Sequence, residues 1–287
     1  MNSYRTLTAT LLSMAIVALA GVGKGAEPLK HDTNKNEAAR NALDNAAAGN
    51  WQEVFFDSGT ENWQTKWFKD GEVATVENTP EGVVLRAGPE WGNGKHHMVL
   101  WTKDSFEGDL KIDFEYTRLD TAARGANILY VQASGSGDGA YKKDISEWKE
   151  LRTTPAMSLY FNNMHTYHIS YAAEPGTDRE YIRARRYMPG GSGVAGLEIT
   201  ELEPDYFCGN LGLFKTGVPH RITVVKKAKG LFMRIKNGDG AHYFHWENDT
   251  FPPITAGRIG LRLMFSRAAR YKDFRVHKSL SDSETAN

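Results

Sequence analysis

The sequence lacks the cysteines and the charge imbalance that mark several classes of protein. Only one of its 287 residues is a cysteine, Cys208, so no disulfide can form within the chain. Lys plus Arg and Asp plus Glu both number 35, and the formal net charge is zero. A general nucleic-acid-binding protein usually has a basic excess, so nucleic acid is not the expected partner. Without disulfides, the fold must be stabilised by an apolar core, in which Cys208 is predicted to be a buried, unreactive thiol.

Long apolar segments are also scarce, and the one candidate lies at the N-terminus. Arg5 precedes an apolar stretch from Leu7 to Val22, and Ala18-Leu19-Ala20 offers small residues where a signal peptidase cuts. This stretch does not exceed the roughly 20 residues that a membrane span needs. We predict that residues 1–26 are a cleaved signal peptide and that the mature chain, with no membrane span, is secreted or periplasmic. An uncleaved anchor helix is the alternative.

Motifs for common cofactors are missing as well. No His/Cys cluster has the spacing of a zinc site, and the loop Gly135–Gly139 lacks the Lys-Ser pair and the following helix of a phosphate-binding loop. Asp249 and Asp273 would supply oxygen ligands that suit a structural calcium ion, with ordinary surface acids as the alternative. No other cofactor is expected.

Alternating apolar and polar residues dominate the middle of the chain. From Leu110 to Tyr116 the even-numbered residues are apolar and the odd-numbered ones are charged, which is typical of a half-buried strand. Further strands are predicted at residues 83–86, 127–133, 167–171, 180–188, 220–226, 231–236, 258–265 and 271–278. Turn sequences such as Asn237-Gly238-Asp239-Gly240 separate them. Many short strands without alternating helices predict an all-β sandwich or jelly roll.

The polar ends of the chain set the predicted domain limits. Residues 27–50 are rich in Ala and Asn and are predicted to be a linker, with a weak helical pattern from Asn36 to Ala48. Residues 51–278 form the predicted sandwich, and residues 279–287 a disordered polar tail. A short helix at Ile145–Arg152 is expected inside a long loop.

Three groups of segments resemble a known family. They are Lys95-His96-His97-Met98-Val99-Leu100-Trp101 with Phe106-Glu107-Gly108-Asp109, then Tyr167-His168-Ile169-Ser170-Tyr171, and finally Gly257–Met264 with Tyr271–Val276. Together they resemble the YesU-like family of bacterial proteins, a domain of unknown function, over about Trp51 to Lys278. The resemblance implies a concanavalin A-like jelly roll of two antiparallel sheets and a role in polysaccharide use. That fold includes lyases, hydrolases and sugar-binding modules, so it does not choose among them.

The chain departs from the family pattern between Gly190 and Gly217, which is rich in glycine and then acidic. We expect this stretch to rebuild one wall of a binding cleft.

One predicted strand carries the strongest candidate site. Tyr181, Arg183, Arg185 and Tyr187 occupy alternate positions and therefore share a face. Arginine forks bind carboxylates or sulfates, and tyrosine rings stack on sugars. The alternative is an exposed strand whose arginines pair with nearby acids such as Glu174, Asp178 or Glu180.

These residue types suit β-elimination from a uronic acid. Arg183 or Arg185 would neutralise the carboxylate, His97 would take the C5 proton, and Tyr167 or Tyr171 would protonate the leaving oxygen. The predicted partner is thus an acidic polysaccharide or oligosaccharide.

Trp101 and His168 are further candidates for contact with the substrate. His168 points away from Tyr167 and Tyr171 if the segment is extended, so only one of these two sets can share a groove with Arg183. A core position is the alternative for Trp101.

Two other functions stay open. Asp113 and Glu115 share a strand face, as a glycosidase pair would, although a solvated strand face looks the same. A non-catalytic glycan-binding module is the third hypothesis, because several tryptophans could stack on sugars: Trp63, Trp67, Trp91, Trp148 and Trp246.

Overall fold

The structure is a computed structural model that describes residues 29–30, 33–190, 198–209 and 211–280. Within these ranges there are seventeen strands. In chain order they are β1 (Leu29–Lys30), β2 (Trp51–Asp57), β3 (Trp67–Asp70), β4 (Thr75–Thr79), β5 (Gly82–Arg86), β6 (Met98–Thr102), β7 (Phe106–Glu107), β8 (Leu110–Arg118), β9 (Asn127–Gly135), β10 (Met164–Ala173), β11 (Tyr181–Tyr187), β12 (Glu201–Phe207), β13 (Pro219–Lys227), β14 (Gly230–Asn237), β15 (Gly240–Glu247), β16 (Ala256–Leu263) and β17 (Ala268–Ser279).

Helices are few among the described residues. The α-helices are α1 (Thr33–Ala47) and α2 (Met157–Asn163). Short 3₁₀ helices lie at Trp63–Thr65, Gly94–His96 and Glu198–Thr200, and a longer one, kinked at Trp148, lies at Ile145–Arg152. No helix in the described ranges combines the length and apolar character that a membrane crossing requires.

The strands form two sheets. Sheet A has the order β1-β12-β11-β10-β9-β16-β6-β3, with β7 paired to β16. Sheet B has the order β15-β14-β13-β8-β17-β5-β4, with β2 paired to β17. Every pairing is antiparallel except the short β1–β12 contact. The predicted all-β fold of two antiparallel sheets is therefore confirmed.

The main core lies between the two sheets. The even-numbered residues of β8, from Leu110 to Tyr116, are fully buried there, as their alternation predicts. Across from them, the Tyr171 ring of β10 lies 5.3 Å from the Tyr116 ring. Each large apolar side chain buried in this layer contributes about 1.5–3 kcal/mol. Cys208 is buried in the same core, and burial raises the pKa of its thiol well above the usual value, as expected of an unreactive cysteine.

Both outer faces are partly covered. Residues 136–163, here called the cover segment, lie on the outer face of sheet A and pack Ile145, Trp148, Tyr160 and Phe161 against it. On sheet B, Leu43 and Ala46 of α1 pack against Val225 and Phe232.

The helix α1 corrects the prediction that residues 27–50 are only a linker. Its buried residues Ala39, Leu43 and Ala46 recur at helical spacing, but alanine is too small to make that pattern conspicuous. The whole predicted signal peptide, residues 1–26, and the tail residues 281–287 lie outside the described residues, whereas Ser279 still pairs with Trp51 in sheet B.

Candidate functional site

The strand register brings distant side chains into rows on the outer face of sheet A. His168 of β10 lies opposite Arg185 of β11 and Tyr130 of β9, and Gly260 of β16 lies between Tyr130 and Trp101 of β6. The first row is Glu201, Arg185, His168, Tyr130, Gly260, Trp101 and Phe68. The neighbouring row is Arg183, Ser170, Ile128, Arg262, Val99 and Asp70. This face therefore carries arginine, histidine and aromatic side chains across most of the sheet.

The four predicted residues of β11 do share this outer face. Ile182 and Ala184 between them point into the main core. Tyr187 belongs to the apolar layer beneath the cover segment, and Tyr181 packs against the same layer. The side chain of Arg183 is still 25% exposed, whereas that of Arg185 is buried.

Both arginines are already paired with acids of β12. Arg183 Nε donates to Asp205 Oδ2 at 2.6 Å and its Nη1 lies 3.3 Å from Glu201, which also pairs with Arg185. Burial lowers the pKa of Arg183, but the two carboxylates raise it more, so the guanidinium stays charged. The acids differ from those that the sequence suggested, because β12 returns alongside β11. Both cations are thus balanced within the protein.

His168 is held between two hydroxyl groups. Its Nδ1 lies 2.5 Å from the Tyr187 hydroxyl and its Nε2 lies 2.6 Å from the Ser170 hydroxyl. Burial and the nearby Arg185 lower the pKa of His168 well below its usual value. The imidazole is therefore neutral and enclosed.

Tyr167 and Tyr171 lie on the opposite side of sheet A, in the main core. The Tyr171 hydroxyl lies 2.8 Å from that of Tyr271, and Asn248 donates to the Tyr167 hydroxyl at 3.0 Å. The prediction that they share a groove with Arg183 is wrong. Both phenols point inward because they lie on the same strand face as the buried Ile169. Burial raises the pKa of Tyr171 well above its usual value.

His97 is buried just before β6. Arg262 Nη2 donates to its Nδ1 at 2.6 Å, and its ring lies 4.4 Å from that of Phe265. Burial, together with the positive charge of Arg262, lowers the pKa of His97 to about 3. The imidazole is neutral near pH 7 and would be a weak base.

Trp101 is part of a buried aromatic stack rather than an open sugar platform. Its ring lies 5.3 Å from Tyr130, nearly parallel to it, and its Nε1 donates to Asp70 Oδ2 at 2.6 Å. The same carboxylate oxygen accepts from Arg152 Nε at 2.6 Å and from the Tyr160 hydroxyl at 2.9 Å. Burial raises the pKa of Asp70, while Arg152 and the other donors oppose that rise.

Sequence reasoning missed Asp70, Arg152 and Arg262 in this layer. Arg262 had a usable signal, because Arg258 and Gly260 alternate with apolar residues on the same strand and so share its face. Asp70 and Arg152 are 82 positions apart, and no local pattern links them.

Two surface pockets flank the cover segment. One, of about 330 Å³, is lined by Lys69–Glu72 and by Lys149, Glu150, Arg152 and Thr153. The other, of about 420 Å³, is lined by Phe68, Lys103, Ser146, Lys149 and Arg258. Lys149 borders both pockets, so the two lie side by side along the edge of the cover segment.

Trp91 is the single exposed tryptophan in the described part of the chain. Half of it is accessible, whereas Trp67, Trp148 and Trp246 are buried. Its ring packs edge-on against Phe265 at 4.5 Å, and the Arg124 guanidinium lies 5.5 Å from its centre. Main-chain bonds tie the loop down, including Ser266 N–H to Gly88 O at 2.7 Å.

The predicted calcium ligands do not form a site. Asp249 is exposed, and its Oδ1 lies 3.4 Å from Lys229 Nζ. Asp273 lies in a bulge of β17, and its backbone N–H donates to Ser58 O. No group of three or more His, Cys, Asp or Glu side chains suited to a metal occurs among the described residues. Asp249 and Asp273 therefore do not fit a calcium ion.

Asp113 and Glu115 of β8 lie on the outer face of sheet B, next to the neighbouring strand β13. Asp113 Oδ1 accepts from the Thr223 hydroxyl at 2.6 Å. This pair is distant from the rows of sheet A, because the main core separates the two outer faces.

No protein-family model matches the chain, and no curated protein matches it. Among solved structures it is similar to a protein of unknown function with a galectin-like fold from Bacillus subtilis, at 18% identity and a TM-score of 0.58, over 80% of this chain and 98% of that one. It is also similar to the VIP36 exoplasmic/lumenal domain in its Ca2+/Man3GlcNAc-bound form, at 13% identity and a TM-score of 0.53, over 81% of this chain and 92% of that one. A mutant of the Emp46p carbohydrate recognition domain matches at 12% identity and a TM-score of 0.51, over 81% of this chain and all of that one. The chain thus shares a galectin-like β-sandwich fold with these structures.

Proposed function

We propose that this protein is an exported, lectin-like protein that binds a polysaccharide or oligosaccharide without cleaving it. Two structural neighbours support this proposal, since one is a carbohydrate recognition domain and the other was solved in a Man3GlcNAc-bound form. Membership of the YesU-like family and export through a signal peptide in residues 1–26 belong to the same proposal.

The observation that carries the proposal is the exposed indole of Trp91. A large aromatic ring left half in water loses favourable burial, and tryptophan is enriched at binding interfaces. An indole face stacks well on the apolar face of a sugar ring. Because Phe265 and the tied loop hold the ring in place, little conformational entropy is lost when a ligand binds. Arg124 beside the ring adds a hydrogen-bond donor for sugar hydroxyls.

Binding is favoured over β-elimination because the parts needed for elimination are not assembled. Arg183 and Arg185 are paired with Glu201 and Asp205, so neither is free to neutralise a uronate. Tyr167 and Tyr171 face the main core and cannot reach a glycan on the outer face. The low pKa of His97 makes it a weak base near neutral pH.

Replacement of Trp91 tests the proposal. In a glycan-array screen followed by calorimetry on the best ligand, Trp91→Ala should weaken binding about five- to tenfold, since stacking on an aromatic ring contributes on the order of 1 kcal/mol. Trp51→Ala is the matched control. Trp51 is half-buried on sheet B, with its Nε1 bonded to Ala47 O, and its loss should leave affinity unchanged per folded molecule.

The same ligands should be monitored for cleavage. Ultraviolet absorbance of an unsaturated product would show elimination, and new reducing ends alone would show hydrolysis. Either result would refute binding without cleavage, and full affinity in Trp91→Ala would refute the site.

A further inference from the structure

Arg262 is a buried cation without an acidic partner. It is fully buried, and its Nη2 donates to His97 Nδ1 at 2.6 Å and to Pro155 O at 2.8 Å. Its guanidinium lies 4.6 Å from the centre of the Tyr160 ring. No carboxylate of the described residues forms an ion pair with it. Its Nε and Nη1 make no hydrogen bond of good geometry in the protein, although the guanidinium interacts with the Tyr130 hydroxyl and acts to lower its pKa. An arginine stays charged at all physiological pH values, so this arrangement is unfavourable unless something compensates the charge.

Arg152 supplies more free donors in the same layer. Its Nε is bonded to Asp70, but its Nη1 and Nη2 have no partner in the protein, although the residue is fully buried. Asp70 balances one guanidinium, so the pair of arginines leaves a net positive charge beneath the cover segment. Such buried groups are rarely left unpaired in native proteins.

His97 adds another donor to this group. Because its Nδ1 accepts from Arg262, the single proton of the neutral ring must lie on Nε2. That Nε2 is buried and has no partner in the protein. Together Arg152 Nη1 and Nη2, Arg262 Nε and Nη1, and His97 Nε2 provide unpaired donors, against one unpaired acceptor, Asp70 Oδ1.

Two residues of this group, Asp70 and Arg152, also form part of the wall of the surface pocket of about 330 Å³. Two main-chain bonds join the cover segment to this wall, from Gly71 N–H to Arg152 O and from Glu72 N–H to Thr153 O, both at 3.2 Å. A Cβ at Gly71 would lie 2.7 Å from His97 O and 3.1 Å from Pro155, so glycine permits this close approach.

We propose that the cationic cluster of Asp70, His97, Arg152 and Arg262 binds an oxyanion, namely the carboxylate or sulfate group of an acidic glycan. Forked guanidinium groups and an imidazole N–H are the donors that such groups prefer. The oxyanion site stands on these contacts alone, whereas its assignment to a glycan rests on the proposed function. The cluster, rather than the paired Arg183 and Arg185, then selects acidic sugars.

Thermal unfolding in sodium sulfate tests the anion site. Sulfate stabilises most proteins by exclusion from their surface, so the readout is the difference between variants. The Tm of the wild-type protein should rise by several degrees more than that of Arg262→Met when sulfate replaces chloride at equal ionic strength. Arg275→Met, which removes an arginine paired with Glu53 on sheet B, should respond like the wild type. An equal response in all three proteins would overturn the proposal.

The ligand-free Tm separates a binding role from a structural one. Removing a buried, unpaired charge should leave the Tm of Arg262→Met at or above the wild-type value, whereas a large fall would indicate a structural role. If Arg262→Met does not fold, Arg262→Lys keeps the charge without the fork, and a full wild-type sulfate response in that variant would contradict forked binding.

Sugar titrations test the identity of the anion. Galacturonate oligomers should bind the wild-type protein at least tenfold more tightly than neutral galactose oligomers, and Arg262→Met should lose that preference. Equal affinities would overturn the glycan assignment while a sulfate response would still support the anion site. Loss of all glycan binding in Trp91→Ala with the sulfate response intact would show that the two proposals are independent.

Discussion

Gly260 allows the indole of Trp101 to lie flat across β16. A Cβ at this position would lie 2.4 Å from a carbon of the Trp101 ring, and the ring is itself held by Tyr130 and Asp70. Gly260→Ala should therefore lower the free energy of unfolding by about 1–3 kcal/mol, as overpacking of a full core does. Urea unfolding followed by tryptophan fluorescence measures the change.

Gly238→Ala is the control for this substitution. Gly238 lies in the β14–β15 turn, and nothing lies within 4 Å of a Cβ added there. Its free energy of unfolding should stay within about 0.5 kcal/mol of the wild-type value. Similar losses in both variants would contradict the crowding argument.

At the level of elements, α1 behaves as part of the sandwich. Leu43 is buried against Val225 and Phe232, and Asn36 Oδ1 accepts the N–H of Tyr243 at 2.8 Å. Leu43→Ala should lower the free energy of unfolding by about 2–3 kcal/mol, because it leaves a cavity between the helix and sheet B. Chemical denaturation provides the measurement, with the exposed Asn45→Ala as the control on the same helix. An unchanged midpoint for Leu43→Ala would show that the helix is not docked in solution.

For the whole molecule, buried ionisable groups predict how stability depends on pH. Burial raises the pKa of Glu180 from 4.5 to about 7, while the Gly176 N–H and the nearby Arg118 and Arg267 partly oppose the rise. The folded state therefore binds this proton more tightly than the unfolded state. Its contribution to stability is fully present below pH 4.5 and is lost as the pH rises through about 7.

Glu180→Gln should remove this dependence. Relative to the wild type, the variant should gain about 2–3 kcal/mol in free energy of unfolding between pH 5 and pH 8. Urea midpoints across that range measure the gain, and Glu81→Gln, which alters an exposed carboxylate, should show none. A constant difference between Glu180→Gln and the wild type would disprove the raised pKa.

Buried histidines make the stability depend on pH in the direction opposite to that of Glu180. Burial lowers the pKa of His97 to about 3 and that of His165 to about 4, with Arg262 and Arg186 adding to the respective effects. Their contribution to stability is present above pH 6.5 and is lost as the pH falls through those lower values. Acid should therefore destabilise the protein even after Glu180 is replaced.

The strand alternation of the sequence by itself determined the fold class and the orientation of several strands. Apolar residues occupy every second position in β8, and Ile182 and Ala184 do so in β11 before Arg186 breaks the pattern. Burying these residues turns their neighbours outward, so the common face of Tyr181, Arg183, Arg185 and Tyr187 followed from spacing alone. The same rule also predicts the inward orientation of Tyr167 and Tyr171, because both share a strand face with the apolar Ile169.

Only the tertiary structure decided the chemical state of the candidate site. Whether an arginine is free depends on which carboxylates the fold brings within a few ångströms, and Coulomb interactions act through space rather than along the chain. Asp205 reaches Arg183 because β12 returns beside β11, and Arg152 reaches Asp70 across 82 positions because the cover segment folds back over sheet A. Arg262 was left without such a partner by the same packing, and that outcome has no signature in the local sequence.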